Sequence, residues 1–232
     1  MSLIQAFNST TELLDNANSL DKLKRIIDPD ILTQAFEHAG VATVRRRRLP
    51  LDAVMWSVIG MSLFRDETVW EIASRLDITL PGKNRLVAPS ALVQARQRLG
   101  YEAVQQTFKL LAQRAFSAQP LETWCGLNLL AVDGVVHRTD DNAANREAFG
   151  NERNAQGASS YPQVRMCCLM EVSSHLLLDS AFEGRAVGEM TLAQRLINSV
   201  PDNSLTLFDR GYYSLGLLHS WQQSGKNTHW MM

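Results

Sequence analysis

Cysteine is scarce in this chain of 232 residues: there are three, Cys125, Cys167 and Cys168. None stands in a C-x-x-C spacing and no His pair lies near them, which argues against both a zinc site and a disulfide framework. Adjacent Cys167 and Cys168 would point to opposite faces of a strand, so they read as small core residues in a reducing compartment. Long apolar runs are missing as well. The longest, Leu51 to Phe64, is interrupted by Asp52, Ser57 and Ser62 and is too short to span a bilayer. MSLIQAFNST lacks a basic segment followed by an apolar one, so no signal peptide is expected. G-x-x-x-x-G-K-[ST], G-x-G-x-x-G and G-x-S-x-G are all absent, which removes support for a nucleotide-binding fold or a serine hydrolase. There is no repeat and no low-complexity segment. A cytoplasmic globular protein without a membrane partner is the expectation.

What is present begins with an uneven charge distribution. The net charge is −1, with 45% hydrophobic and 20% charged residues, as in ordinary globular chains. From Arg45 to Arg98, however, ten Arg/Lys face five Asp/Glu, and from Cys125 onward eight face eleven. A basic first part joined to an acidic second part permits a nucleic-acid partner. The run Arg45-Arg46-Arg47-Arg48 either attracts phosphate or forms a solvated basic loop.

The first half reads as helices. Asp28-Pro29 starts one near 29 to 39 that Gly40 stops. Leu51, Val54, Met55, Val58, Ile59 and Leu63 recur at helical spacing and predict an amphipathic helix over 51 to 64. Asp66 is positioned to cap a third, with Val69, Trp70, Ala73 and Leu76 on one face. Ser90 caps a fourth, SALVQARQRLG, ending at Gly100, and a fifth runs from Tyr101 to about Ser117. Gln94, Arg96, Gln97 and Arg98 lie around the polar side of the fourth helix, which suits phosphate or base-edge contacts. The gap before that helix is too long for a compact helix-turn-helix.

Near Gln119-Pro120 the period changes. Leu127 to Val136 is apolar and β-branched; a polar loop, 140 to 160, follows. Val164 to Val172 alternates, with Val164, Met166, Cys168, Met170 and Val172 on one face. Ser173-Ser174 turns the chain into a third strand, 175 to 182. Met190 to Val200 is helical, Leu205 to Phe208 is a short strand, Ser214 caps a helix, and THWMM starts another strand. The order β-β-β-α-β-α-β predicts a mixed sheet covered by helices, and α+β architecture overall. The expected domains are an all-α part, 1–120, and an α/β part, 121–232.

Two acids stand out. In LLAVDGVVHR, Asp133-Gly134 is either a two-residue hairpin turn or an acid placed on a continuous strand. In LTLFDRGYYS, Asp209 is either part of a plain strand-to-helix turn or a second acid at a strand end. If the fourth strand returns parallel beside the first, the two acids meet where ligands of open α/β sheets collect. Paired carboxylates repel unless they share a proton or a cation, and hard oxygen donors favour Mg²⁺ or Mn²⁺. Two such metals roughly 4 Å apart can clamp an in-line displacement at a phosphodiester. No catalytic constellation forms around His137, His175 or His219, and Glu147, Glu152, Glu171 and Glu183 read as solvated.

With these residues in view, the chain resembles bacterial transposases of the insertion-sequence-four type, which carry a ribonuclease H-like DDE domain. RRRRLPL and APSALVQARQRLG carry the likeness in the first half. LLAVDGV, YPQVRMCCLMEVSSHLLLDSAF and LTLFDRGYYSLGLL carry it in the second. The resemblance implies that Asp133 and Asp209 are the first and second catalytic acids and metal ligands. The family's third acid, a Glu within a Y-x-x-R, E, K signature, has no match here, so a truncated ribonuclease H-like domain, inactive alone, is expected. The resemblance also implies DNA partners (element ends and target), an oligomeric active form, and a place in the bacterial cytoplasm with the nucleoid. A non-catalytic DNA-binding fragment or inhibitor of transposition is the alternative, and a pseudogene product without function is another.

Overall fold

The structure is a computed structural model that describes residues 20–41, 49–76, 78, 88–118, 120–150, 153–154, 157–158 and 161–232. The chain divides into two compact units, Met1–Leu111 and Ala112–Met232. The described part of the first unit is helical. It contains α1 (Leu20–Ile26), α2 (Asp30–His38), α3 (Leu51–Leu63), α4 (Val69–Arg75) and the greater part of α5 (Pro89–Ala118). Leu32, Phe36, Val54, Met55, Trp56, Ile72, Leu76, Leu92 and Leu99 form its core. Burying such side chains contributes about 1.5–3 kcal/mol each and offsets the entropy of ordering the helices.

Several local expectations shift in this unit. The cap of α4 is Thr68, not Asp66: its hydroxyl accepts from Glu71 N while the Glu71 carboxylate accepts from Thr68 N, a reciprocal capping box. α5 starts at Pro89, where the missing N–H costs nothing, so Ser90 lies inside the helix. The stop expected at Gly100 is borne out: α5 is two helices that meet at a non-helical Gly100, with φ 77° and ψ 164°. α3 is apolar on most of its sides rather than along one stripe, and buries Val54, Met55, Trp56, Ser57 and Gly60. Helix α1 has no counterpart in the sequence-based expectation.

The second unit is built on a mixed sheet of β2 (Leu127–Arg138), β5 (Gln163–Glu171), β6 (Leu177–Gly184), β7 (Ser204–Phe208) and β8 (Thr228–Met231). Their order across the sheet is β6-β5-β2-β7-β8. A short β1 (Thr123–Trp124) pairs with β2. β2, β5 and β6 form the antiparallel meander, and β7 lies parallel to β2 on its other side. α7 (Glu189–Leu196) and α8 (Leu215–Gln222) complete the expected order. Leu192, Ala193 and Leu196 of α7, with Leu217, Leu218 and Trp221 of α8, join Leu130, Val132, Cys167, Leu169 and Phe208 in one core.

Three details differ from the sequence reading. The polar stretch after β2 holds α6 (Ala143–Phe149), capped by Asn142, and a small hairpin of β3 (Arg153–Asn154) with β4 (Gly157–Ala158). In β5 the buried side chains are Cys167, Leu169 and Glu171, while Met166, Cys168 and Met170 are half-buried. Both faces of β5 are therefore apolar, and alternation could not say which is covered by helices. Glu171 is 0% exposed rather than solvated. It accepts hydrogen bonds from the backbone and hydroxyls of Ser173 and Ser174, which hold the β5–β6 turn. Among the described residues, no helix is long and apolar enough to cross a membrane.

Candidate active site

Asp133 sits inside one continuous strand. β2 pairs with β5 from Leu130↔Glu171 through Asp133↔Cys168 and Gly134↔Cys167 to Arg138↔Gln163, without a turn. The hairpin turn lies instead at Cys125-Gly126, between β1 and β2, where both φ angles are positive, 51° and 79°. Those are the backbone angles that a two-residue turn of the primed type requires. The apolar flanks on either side of Asp133 commit it to the sheet because β5 and β7 supply partners for them.

On its other side β2 pairs with β7 from Asn128↔Ser204 to Val132↔Phe208. One step beyond this last pair stand Asp133 and Asp209. Neighbouring strands lie about 4.8 Å apart, so the two acids leave the sheet from adjacent positions. Asp209 no longer belongs to the ladder. It is extended (φ −69°, ψ 154°) and opens a turn over Arg210–Tyr212, with its carboxylate accepting from Gly211 N at 3.0 Å. Asp133 Oδ1 accepts from Gly134 N at 2.7 Å. Both acids are exposed. Where β7 ends, the edge of β2 beyond Val132 has no described strand beside it, which leaves a notch at the acids.

Tyr212 anchors the turn that carries Asp209. It is 2% exposed, its ring lies 5.8 Å from that of Phe208, and its hydroxyl is 3.6 Å from Cys167 Sγ. Burial pushes the Cys167 thiol up to about 11, helped by the negative charges of Cys168, Glu189 and Asp133 against the lowering contact from Tyr212. Burial, the Cys167 contact and the charges of Glu189 and Asp133 raise the Tyr212 phenol in the same way. Both groups stay protonated at neutral pH. Phe208 in turn stacks edge-on against Trp221 at 4.9 Å, so the strand end is held from α8 as well.

Sequence reasoning passes over Glu189. It is the first residue of α7, and its side chain lies against Gly134: a Cβ there would come within 2.9 Å of Glu189 Cδ. Arg165 Nε stands 3.6 Å from Glu189 Oε1, and Arg165 Nη1 donates to Val187 O at 3.0 Å. No sequence pattern announces this carboxylate, because its place depends on a side chain that residue 134 lacks.

The donor set fits a hard divalent cation, since Asp133 and Asp209 offer charged oxygens at one strand end. Among the described residues, no group of three or more His, Cys, Asp or Glu is spaced as a ready-made metal cage. In the helical unit, Gln94, Arg96, Gln97 and Arg98 are all exposed on α5, while Leu92, Ala95 and Leu99 face the core. Arg96 also approaches Met61 Sδ at 3.7 Å. Arg45, Arg46, Arg47 and Arg48 lie outside the described residues.

Comparison with known proteins fits this geometry. The family described as insertion element 4 transposase N-terminal matches residues 17–109, and the transposase DDE domain matches residues 124–232. The transposase InsG for insertion sequence element IS4, from Escherichia coli strain K12, is 45% identical over the whole chain, which spans 52% of that relative's length. The putative transposase InsZ of the same strain is 38% identical over 82% of the chain and 64% of its own length. No solved structure matches. With a helical first unit, a mixed-sheet second unit and both family regions matched in order, this chain belongs to the insertion-sequence-four family of DDE transposases.

Proposed function

We propose that this polypeptide carries the DNA-binding part and two metal-binding acids of a transposase that cuts and joins DNA at insertion-sequence ends. The parallel register of β2 with β7, which ends one residue before Asp133 and Asp209, carries the reading. The domain match implies use of divalent metal in general; the hard oxygen donors select Mg²⁺ or Mn²⁺. Such a cation, when bound, supplies Lewis acidity at the phosphodiester and favours ionisation of the attacking water or hydroxyl. Asp133 and Asp209 would hold it at the strand end, and the space over Gly134 is taken by the Glu189 side chain. The overall chemistry is water replacing a 3′-oxygen at phosphorus, followed by attack of the freed 3′-hydroxyl on target DNA. The helical part, 1–120, binds element DNA through Arg45 to Arg48, Gln94, Arg96, Gln97 and Arg98, and the part 121–232 holds the acids. On this reading the intact transposase acts as a homo-oligomer on nucleoid DNA in the bacterial cytoplasm.

No residue of this chain matches the family's third acid, so the chain alone binds element DNA without cleaving it. The same observation favours a second reading, in which it occupies element ends as an inhibitor. Fluorescence anisotropy with element-end duplexes tests the binding. Arg96→Ala and Arg98→Ala are expected to weaken it and to reduce the log–log salt slope by about 0.9 for each phosphate that is no longer neutralised. Unchanged affinity and slope would remove the DNA-binding assignment. Cleavage of element-end DNA with Mg²⁺, abolished by Asp133→Ala, would overturn the claim of inactivity.

A further inference from the structure

We infer that Glu189 is an outer carboxylate of the cation site, acting through the water shell of the metal held by Asp133 and Asp209. The inference rests on those two acids being the metal ligands. An acid in the first turn of a helix is ordinary, because it offsets the helix dipole. What marks Glu189 is the surface it covers. Its Cδ, Cγ and Oε1 occupy the space at 2.9, 3.0 and 3.1 Å from where a Cβ on residue 134 would stand. Alanine at 134 would displace this carboxylate; glycine lets it settle on the strand beside Asp133.

β2 alternates, so Asp133 and Gly134 face opposite sides of the sheet, with Glu189 on the helix-covered side. Elsewhere that would separate the two acids. Here β7 ends at Phe208 and no described strand lies beside β2 beyond Val132, so nothing in the described sheet stands between the two sides at this notch. The buried Cys167 and Tyr212 are each acted on by the charges of both Asp133 and Glu189.

A second feature concerns how Glu189 is held. Arg165 Nε is buried without a hydrogen bond, 3.6 Å from Glu189 Oε1, while Val187 O holds the other arm of the guanidinium. The pair is an ion contact that stops short of a hydrogen bond. Glu189 is therefore steadied at the notch with acceptor capacity to spare. Mg²⁺ binds through one or two carboxylates and keeps several waters, which need acceptors of their own. Asp133 and Asp209 match the direct ligands, and Glu189 matches an acceptor for the water shell.

Mn²⁺ titration of the purified chain, read by calorimetry and by the EPR signal of free Mn²⁺, tests the inference without any activity assay. Loss of an outer-shell partner typically costs 10–100-fold in metal affinity, and Glu189→Gln is expected to lose about that much. Asp133→Asn is expected to abolish saturable binding. Arg165→Gln, which frees Glu189, is expected to tighten binding, and the gain should vanish in the double variant with Glu189→Gln. That comparison also decides the matter if Glu189→Gln alone folds poorly by circular dichroism. Glu189→Gln binding Mn²⁺ within twofold of the parent, or a gain from Arg165→Gln that survives in the double variant, would overturn the role of Glu189. No saturable Mn²⁺ binding by the parent chain would instead sink the Asp133–Asp209 site.

Discussion

The hydrogen bond from Trp221 Nε1 to Thr206 Oγ1, 2.9 Å long with both residues 0% exposed, ties α8 to the strand that delivers Asp209. Trp221→Phe removes the donor and part of the ring that stacks on Phe208. Leaving a buried partner unmet costs about 1–3 kcal/mol, whereas removing both partners is close to neutral. Thr206→Val strands the indole N–H by the same reasoning, and the double variant strands neither. Each single change is therefore expected to destabilise by about 1–3 kcal/mol. The double variant should be more stable than the sum predicts, with a coupling of about 1–2 kcal/mol, inside the range for residues in contact. Urea unfolding of the full chain, followed by far-UV circular dichroism, measures the four corners of this cycle. The steric loss of the indole appears in both variants that carry Phe and cancels. A coupling below about 0.3 kcal/mol, the level of independent sites, would refute the claim that this bond holds the strand end.

The packing of α3 on α4 makes a second prediction. A Cβ on Gly60 would lie 2.5 Å from Ile72 Cγ2 and 3.1 Å from Leu76 Cδ1, both on fully buried side chains. Overpacking costs about 1–3 kcal/mol against a helix-propensity gain of about 1 kcal/mol, so Gly60→Ala should lower thermal stability, and a rise in Tm would contradict the packing. Burial opposes ionisation of Glu171, but hydrogen bonds from Ser174 and Ser173 outweigh it and lower its pKa. Glu171 therefore contributes stability above the unfolded carboxylate range, lost as pH falls through its depressed value; Glu171→Gln should flatten the acid limb of a urea-midpoint profile. Among the thiols, exposed Cys125 should react with maleimide at neutral pH well before Cys167, which is buried and raised to about 11; Cys125→Ser removing the fast phase is the check.

Much of the sheet is legible in the sequence because its strands are bounded by strong punctuation. Ser173-Ser174, Pro201-Asp202-Asn203 and Gly225 each end an element, and the order of strands and helices implies the parallel return of β7 to β2. Asp133-Gly134 stays ambiguous because an Asp-Gly pair serves a turn and a strand equally well until partners are known. β5 and β7 on either side decide for the strand. α6 escapes sequence reading because it has seven residues, none of them buried, so no apolar period announces it. Thr68-Val69-Trp70-Glu71 does carry a capping-box signature, but the acid at Asp66 competes with it as a cap. Glu189 is illegible for a deeper reason. Its significance comes from an empty space over Gly134, which exists only once a helix has been laid on the strand.

The β2–β7 ladder also acts as a ruler. Asp133 and Asp209 are neighbours because residues 128 to 132 match residues 204 to 208 one for one. The length of chain between them does not enter. The stretch containing α6, β3 and β4 can therefore lengthen or shorten among relatives while the acids keep their spacing. A single residue inserted within 128–132 is different. It would slide Asp133 by about 3.3 Å and turn its side chain to the other face of the sheet. Tolerance to insertion should thus be high at the loops and nil within the five-residue ladder, a pattern set by backbone pairing alone.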